Sequence, residues 1–123
     1  MKTFSAFLLT FICLTCPAMD SQKAIQAIIG ESAGENFKTK LAIAGALRNR
    51  NTLQGVRGAL NRRMIQSQPQ RIWKQANEAW AQSATNDLTH GGCFFESDNF
   101  PRPKWSLGMT QTAKVGKFTF WKK

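Results

Sequence analysis

The 123-residue chain contains no tyrosine, one histidine and only seven acidic residues, against seventeen lysines and arginines. Each shortage excludes something. His90 stands alone, without paired Cys or His spacing, so there is no ready set of metal ligands and neither a metal nor another cofactor is expected. Without tyrosine, no phenolic hydroxyl is available to any site. Of three cysteines, Cys13 and Cys16 lie in an N-terminal apolar stretch, which leaves Cys93 with no partner for an internal disulfide. His90 lies close before Cys93, but catalytic Cys–His pairs come from distant parts of a chain, so Cys93 is read as a buried structural thiol. The N-terminal apolar stretch is short of the roughly 20 residues that a membrane span needs.

What is present begins with Lys2, an apolar region from Phe4 to Leu14, and small residues at Pro17-Ala18. That order of charge, apolar stretch and small residues predicts a secretory signal peptide over residues 1–18, leaving residues 19–123 as one domain in the periplasm, the medium or the cell wall. Acylation at Cys16, as in a lipoprotein, ranks second, because Thr15 is bulkier than the residue usual before an acylated cysteine. An exported domain without disulfides relies on its core alone, which suits a bacterial or phage source. With Lys2 set aside, sixteen cations face seven acids, so the domain is drawn to polyanions. The cations are scattered (Arg48, Arg50, Arg57, Arg62, Arg63, Arg71, Lys114, Lys117, Lys122, Lys123), and most are expected on a solvated face. No recognition helix or aromatic-interleaved basic motif accompanies them, so no nucleic-acid partner is expected; for an exported protein, wall polymers are the nearest polyanion.

Periodicity predicts a helix from about Gln22 to Ile29, capped by Asp20 or Ser21 and interrupted by Gly30 and Gly34. A second helix starts near Asn36 or Thr39, places Leu41, Ala42, Ala44, Ala46 and Leu47 inward, and ends at Arg48-Asn49-Arg50-Asn51. Thr52 to Gln68 reads as loop with one helical turn, able to border a cleft. Pro69 suits a first helical position, followed by Ile72, Trp73, Ala76, Ala79 and Trp80 at helical spacing; both tryptophans are core. Past Asp87 the period changes. Cys93 to Glu96 looks extended, and Thr110 to Trp121 alternates around Val115-Gly116 as a hairpin with Phe118 and Phe120 on one face. The fold class is α+β, helices first and a short antiparallel sheet last.

The chemistry concentrates in Gly30-Glu31-Ser32-Ala33-Gly34-Glu35. Bond cleavage by general acid catalysis needs a carboxyl that stays protonated near neutral pH, and burial against apolar neighbours raises its pKa toward that range. The run Ala24 to Ile29 supplies such neighbours, and Glu31 falls at the C-terminal end of the helix, where the dipole disfavours negative charge. Judged on spacing alone, hydrogen bonds from Glu31 and Glu35 to backbone amides of a Gly-rich turn remain the simpler explanation.

Together, Ala27 to Glu35 and Leu41 to Arg50 resemble the opening of the SleB-like cell wall hydrolases, with their Gly-Glu-Ala-x-Gly-Glu segment and apolar helix ending in Asn-Arg. The similarity continues through Trp73, Ala76 to Trp80, Asp87 to Phe95, Trp105, and Thr112 to Phe120. It implies a small lysozyme-like domain acting on peptidoglycan glycan strands; apart from the resemblance, a monomer with no stable membrane insertion once the leader is removed is expected. It further implies Glu31 as the catalytic acid and base, Glu35 as its support, and substrate contacts from Phe94, Phe95, Glu96 and Trp105. The chemistry implied is lytic transglycosylation of the MurNAc–GlcNAc bond, which needs one carboxyl. Two-carboxylate hydrolysis would need a second at about 5 to 9.5 Å, for which Glu35, Glu96 and Asp98 are the candidates. Ser32 stands where the family has alanine, and Phe94-Phe95 where many members have tyrosines. Ring stacking on sugar survives that change; phenolic hydrogen bonds do not. A basic wall-binding or assembly-accessory protein without full activity is the alternative, and a cationic membrane-active protein ranks third.

Overall fold

The computed structural model describes residues 19–123, so the expected signal peptide over 1–18, with its Cys16 alternative, lies outside the described residues. Among these residues, four α-helices precede a small sheet. Helix α1, Ser21–Ser32, is capped by Asp20, whose carboxylate accepts from the Gln22 amide at 2.9 Å. Its residues Ala24, Ile25, Ala27, Ile28 and Ile29 are buried, as the apolar run predicts. It does not stop at Ile29 but continues through Gly30. The glycine is there for close packing: a Cβ on Gly30 would lie 2.0 Å from the carbonyl oxygen of Gly58.

Helix α2, Phe37–Arg50, is capped by Asn36, which accepts from the Thr39 amide at 2.9 Å. Every residue from Thr39 to Leu47 is buried. A helix enclosed on all sides must approach its neighbours closely, which accounts for Ala42, Ala44, Gly45 and Ala46. Lys40 is fully buried, and its ammonium donates to the carbonyls of Ala33 (3.1 Å) and Glu35, closing the turn between α1 and α2. Residues 52–68 contain a 3-10 turn, Arg57–Leu60, and a short helix α3, Arg62–Gln66, so this stretch is more helical than its sequence suggests. Helix α4, Gln70–Gln82, has Pro69 as its N-cap and buries Ile72, Ala76, Ala79 and Trp80, with Trp73 half-buried against the same core. Arg48 is not a solvated charge: its guanidinium lies 3.8 Å from the centroid of the Trp80 ring and donates to Ser83 Oγ at 2.7 Å.

Strands β1 (Phe94–Ser97), β2 (Thr110–Val115) and β3 (Phe118–Lys122) form an antiparallel sheet in the order β1-β3-β2. The hairpin turns at Gly116, whose φ of 58° lies in the left-handed region and whose missing Cβ leaves room for Thr39 Oγ1. Phe118 and Phe120 face the helical core. Trp121, on the opposite face, is buried as well, covered edge-on by Trp105 at 5.4 Å between centroids. Cys93, expected to be buried, is only half-buried; its amide pairs with the Trp121 carbonyl and its thiol donates to the Gly91 carbonyl at 3.6 Å. No helix among the described residues is long and apolar enough to cross a membrane.

Candidate active site

Glu31 occupies the last turn of α1 and points at the 3-10 segment that packs across it. Its Oε2 accepts a hydrogen bond from the Gly58 amide at 2.6 Å. Two glycines make this contact possible. A Cβ on Gly58 would sit 2.5 Å from Glu31 Oε2 and 2.6 Å from the Gly30 carbonyl carbon, so neither backbone could carry a side chain at this crossing. The backbone-amide bond expected for the carboxylate thus exists, but its donor comes from a remote segment and not from the adjacent Gly-rich turn.

Burial raises the Glu31 pKa above the ordinary 4.5; the Gly58 hydrogen bond opposes the shift, the charge of Glu96 adds to it and the charge of Arg50 opposes it. The carboxyl opens on a cleft of about 560 Å³ lined also by Arg50, Arg57, Phe95, Glu96, Phe100 and Trp105. Phe100 and Trp105 stand at its edge, 62% and 43% exposed, which is unusual for rings of that size in a small domain. Phe95 reaches the cleft while its ring packs on Phe118 and Phe120. Phe94 lies on an adjoining groove of about 350 Å³ that shares Arg50, Gly55, Phe95 and Trp105 with the cleft. Its ring is 5.9 Å from that of Trp105 and 5.0 Å from the Arg50 guanidinium carbon.

Glu31, Phe95, Glu96 and Trp105 therefore share one cleft, and Phe94 lines its extension. Glu35 does not line the cleft; it lies in the turn after α1, where its carbonyl accepts from Lys40 and its charge favours the Lys40 ammonium. Of the acids considered as second carboxylates, Asp98 pairs with Lys114, and Glu96 alone faces the cleft with Glu31. No cluster of three or more His, Cys, Asp or Glu suited to a metal occurs among the described residues.

Sequence reasoning noted the Asn-Arg end of α2 without giving either residue a task. Asn49 donates through Nδ2 to Asp87 Oδ2 (2.9 Å), Thr89 Oγ1 (3.2 Å) and the Gly92 carbonyl (2.9 Å), tying α2 to the loop that leads into β1. Burial opposes ionisation of Asp87, but hydrogen bonds from Thr89, Asn49 and Gly91 outweigh it and hold the carboxyl below its ordinary value. One residue on, Arg50 turns into the cleft and donates to the Gln54 carbonyl. Its Nε is buried with no partner among the described residues. The signal that could have found Arg50 is its adjacency to an asparagine at a helix end, where one residue anchors and the next, rotated by about 100°, faces elsewhere.

No family model and no curated protein matches the chain. Among solved structures, it is similar to the catalytic domain of the germination-specific lytic transglycosylase SleB from Bacillus anthracis, with 27% identity and a TM-score of 0.63 over 86% of this chain and 99% of that one. It is also similar to the catalytic domain of the Bacillus cereus SleB protein, with 25% identity and a TM-score of 0.59 over 86% and 94% of the two chains. Topology and coverage agree: over most of its length this chain is similar to SleB catalytic domains, with four helices preceding a three-stranded antiparallel sheet among the described residues.

Proposed function

We propose that residues 19–123 are an exported peptidoglycan lytic transglycosylase, released from a signal peptide over residues 1–18, with Glu31 as its single acid and base. The observation that carries this reading is the half-buried Glu31 carboxyl, raised in pKa and open to a cleft edged by exposed aromatic rings. The similarity to lytic transglycosylase catalytic domains adds independent support.

In the proposed reaction the protonated Glu31 donates to the glycosidic oxygen, and the C1–O bond breaks with its electron pair leaving on that oxygen. The carboxylate formed is held by the Gly58 amide and faces the charge of Arg50, both of which favour the ionised state. It then takes the proton of the muramic 6-hydroxyl as O6 bonds to C1. The product is a 1,6-anhydro end, and Glu31 is again protonated. Trp105 and Phe100 would bear against sugar faces, and Phe95 and Glu96 would border the bound strand.

The test is a digest of purified sacculi. Mature protein from Met19 is expected to release soluble muropeptides with 1,6-anhydro ends. Glu31→Gln is expected to abolish release while keeping the fold and the binding to sacculi. Equal release by the variant would remove Glu31 from the mechanism, and reducing ends would mean hydrolysis, with Glu96 as the acid to examine next.

A further inference from the structure

On the far side of the segment that crosses α1 lies a second groove, of about 460 Å³, lined by Lys23, Gln26, Gln54, Arg57, Leu60 and Arg62 among others. It has no acidic residue in its lining, whereas the cleft beside it holds Glu31 and Glu96. The two share a wall, because Gly55, Val56 and Arg57 line both. A partly anionic ligand spanning them would place its neutral part against the carboxylates and its negative part among Lys23, Arg57 and Arg62.

We infer that this basic groove receives the peptide stem carried by the muramic residue bound in the cleft, recognising the free carboxylates of an acidic peptide. The inference rests on the peptidoglycan reading above and names a part of the substrate that the Glu31 cleft does not account for. The dimensions agree. Lys23 precedes Glu31 by eight residues on the same helix, about 12 Å along its axis. A stem of four or five residues extends about 13 to 18 Å, enough to cross the shared wall. Leu60, 81% exposed, and the neighbouring Leu53 and Ala59 offer apolar contact to the small side chains of such a peptide. Glycan strands stripped of peptide would leave three cations without a counter-charge.

The test is equilibrium binding of the Glu31→Gln protein to two soluble probes, a peptidoglycan tetrasaccharide with its stems and the same tetrasaccharide after amidase treatment. The stem-bearing probe is expected to bind about tenfold more tightly. Lys23→Gln combined with Arg62→Gln should remove that difference. Lys38→Gln combined with Lys74→Gln, the same change in net charge outside both grooves, should preserve it. Equal binding of the two probes, or equal loss in both double variants, would overturn the inference and leave the cleavage assay untouched. Stem-dependent binding through Lys23 and Arg62, alongside a protein with Glu31 intact that releases no muropeptides, would sustain the groove and overturn catalysis instead. Absence of binding to either probe would overturn the groove assignment.

Discussion

The Gly58 amide donates to Glu31 Oε2 at 2.6 Å across a crossing where Gly30 and Gly58 meet backbone to backbone. The carboxyl is thereby half-buried and, among the described residues, held by one backbone donor. Glu31 is held by a tertiary contact, although it sits in a regular helix.

That crossing gives glycine substitutions an opposite sign from the usual one. In a helix interior, alanine in place of glycine stabilises by about 0.5–1 kcal/mol. At Gly30 a Cβ would meet the Gly58 carbonyl carbon at 2.4 Å, so Gly30→Ala is expected to destabilise by about 1–3 kcal/mol and to lower muropeptide release. Gly58→Ala should do the same by pushing on Oε2 itself. Denaturant midpoints measure the first effect and sacculus digests the second; a stabilised Gly30→Ala protein would contradict the close approach.

The neighbours of Glu31 should move its pH profile in opposite directions. If the protonated carboxyl starts the reaction, kcat/KM falls as pH rises through the raised pKa. Arg50 lowers that pKa, so Arg50→Gln should shift the alkaline limb to higher pH; Glu96 raises it, so Glu96→Gln should shift the limb lower. Stability follows with a definite sign. Between 4.5 and the raised folded value the native state holds the extra proton, so stability declines as pH rises through that window. Glu31→Gln should abolish that contribution, which unfolding curves across a pH series would reveal.

Lys40 and Glu35 should act on the turn and not on the chemistry. Lys40→Met leaves the Ala33 and Glu35 carbonyls without their donor and is expected to cost about 1–3 kcal/mol in a denaturant titration. Glu35→Gln removes a partly solvated charge near the ammonium and should cost under about 1 kcal/mol. Neither substitution should displace the pH limb assigned to Glu31; a displaced limb would bring Glu35 into the catalytic exchange.

Trp105 packs edge-on against Trp121 yet is 43% exposed on the cleft. Trp105→Ala should raise KM by about fivefold to tenfold, the worth of one aromatic face at about 1 kcal/mol, with a smaller effect on kcat. Phe100→Ala, at a more exposed ring, should show the same pattern in steady-state kinetics with soluble glycan fragments. A fall in kcat alone would mean that the rings position the catalytic group and do not bind sugar.

Local rules account for much of this molecule. Asp20 and Asn36 as caps, the inward face of α4 and the β2–β3 hairpin follow from short-range chemistry and alternation, which neighbouring residues carry in full. The Gly-Glu-Ser-Ala-Gly-Glu motif likewise exposed the carboxyl to consider first. Gly30 shows where that reasoning stops: a helix-breaking residue by propensity, it lies inside α1 because Gly58, far along the chain, needs the space of its absent Cβ. The enclosure of α2, the burial of Lys40, the separation of Glu35 from the cleft and the turn of Arg50 into it are of the same kind. Composition and spacing by themselves determined an α+β domain with a net positive charge and one suspect acid pair. The tertiary structure decided which acid enters the cleft and which cation faces it, because desolvation and hydrogen bonding depend on atoms that only folding brings together.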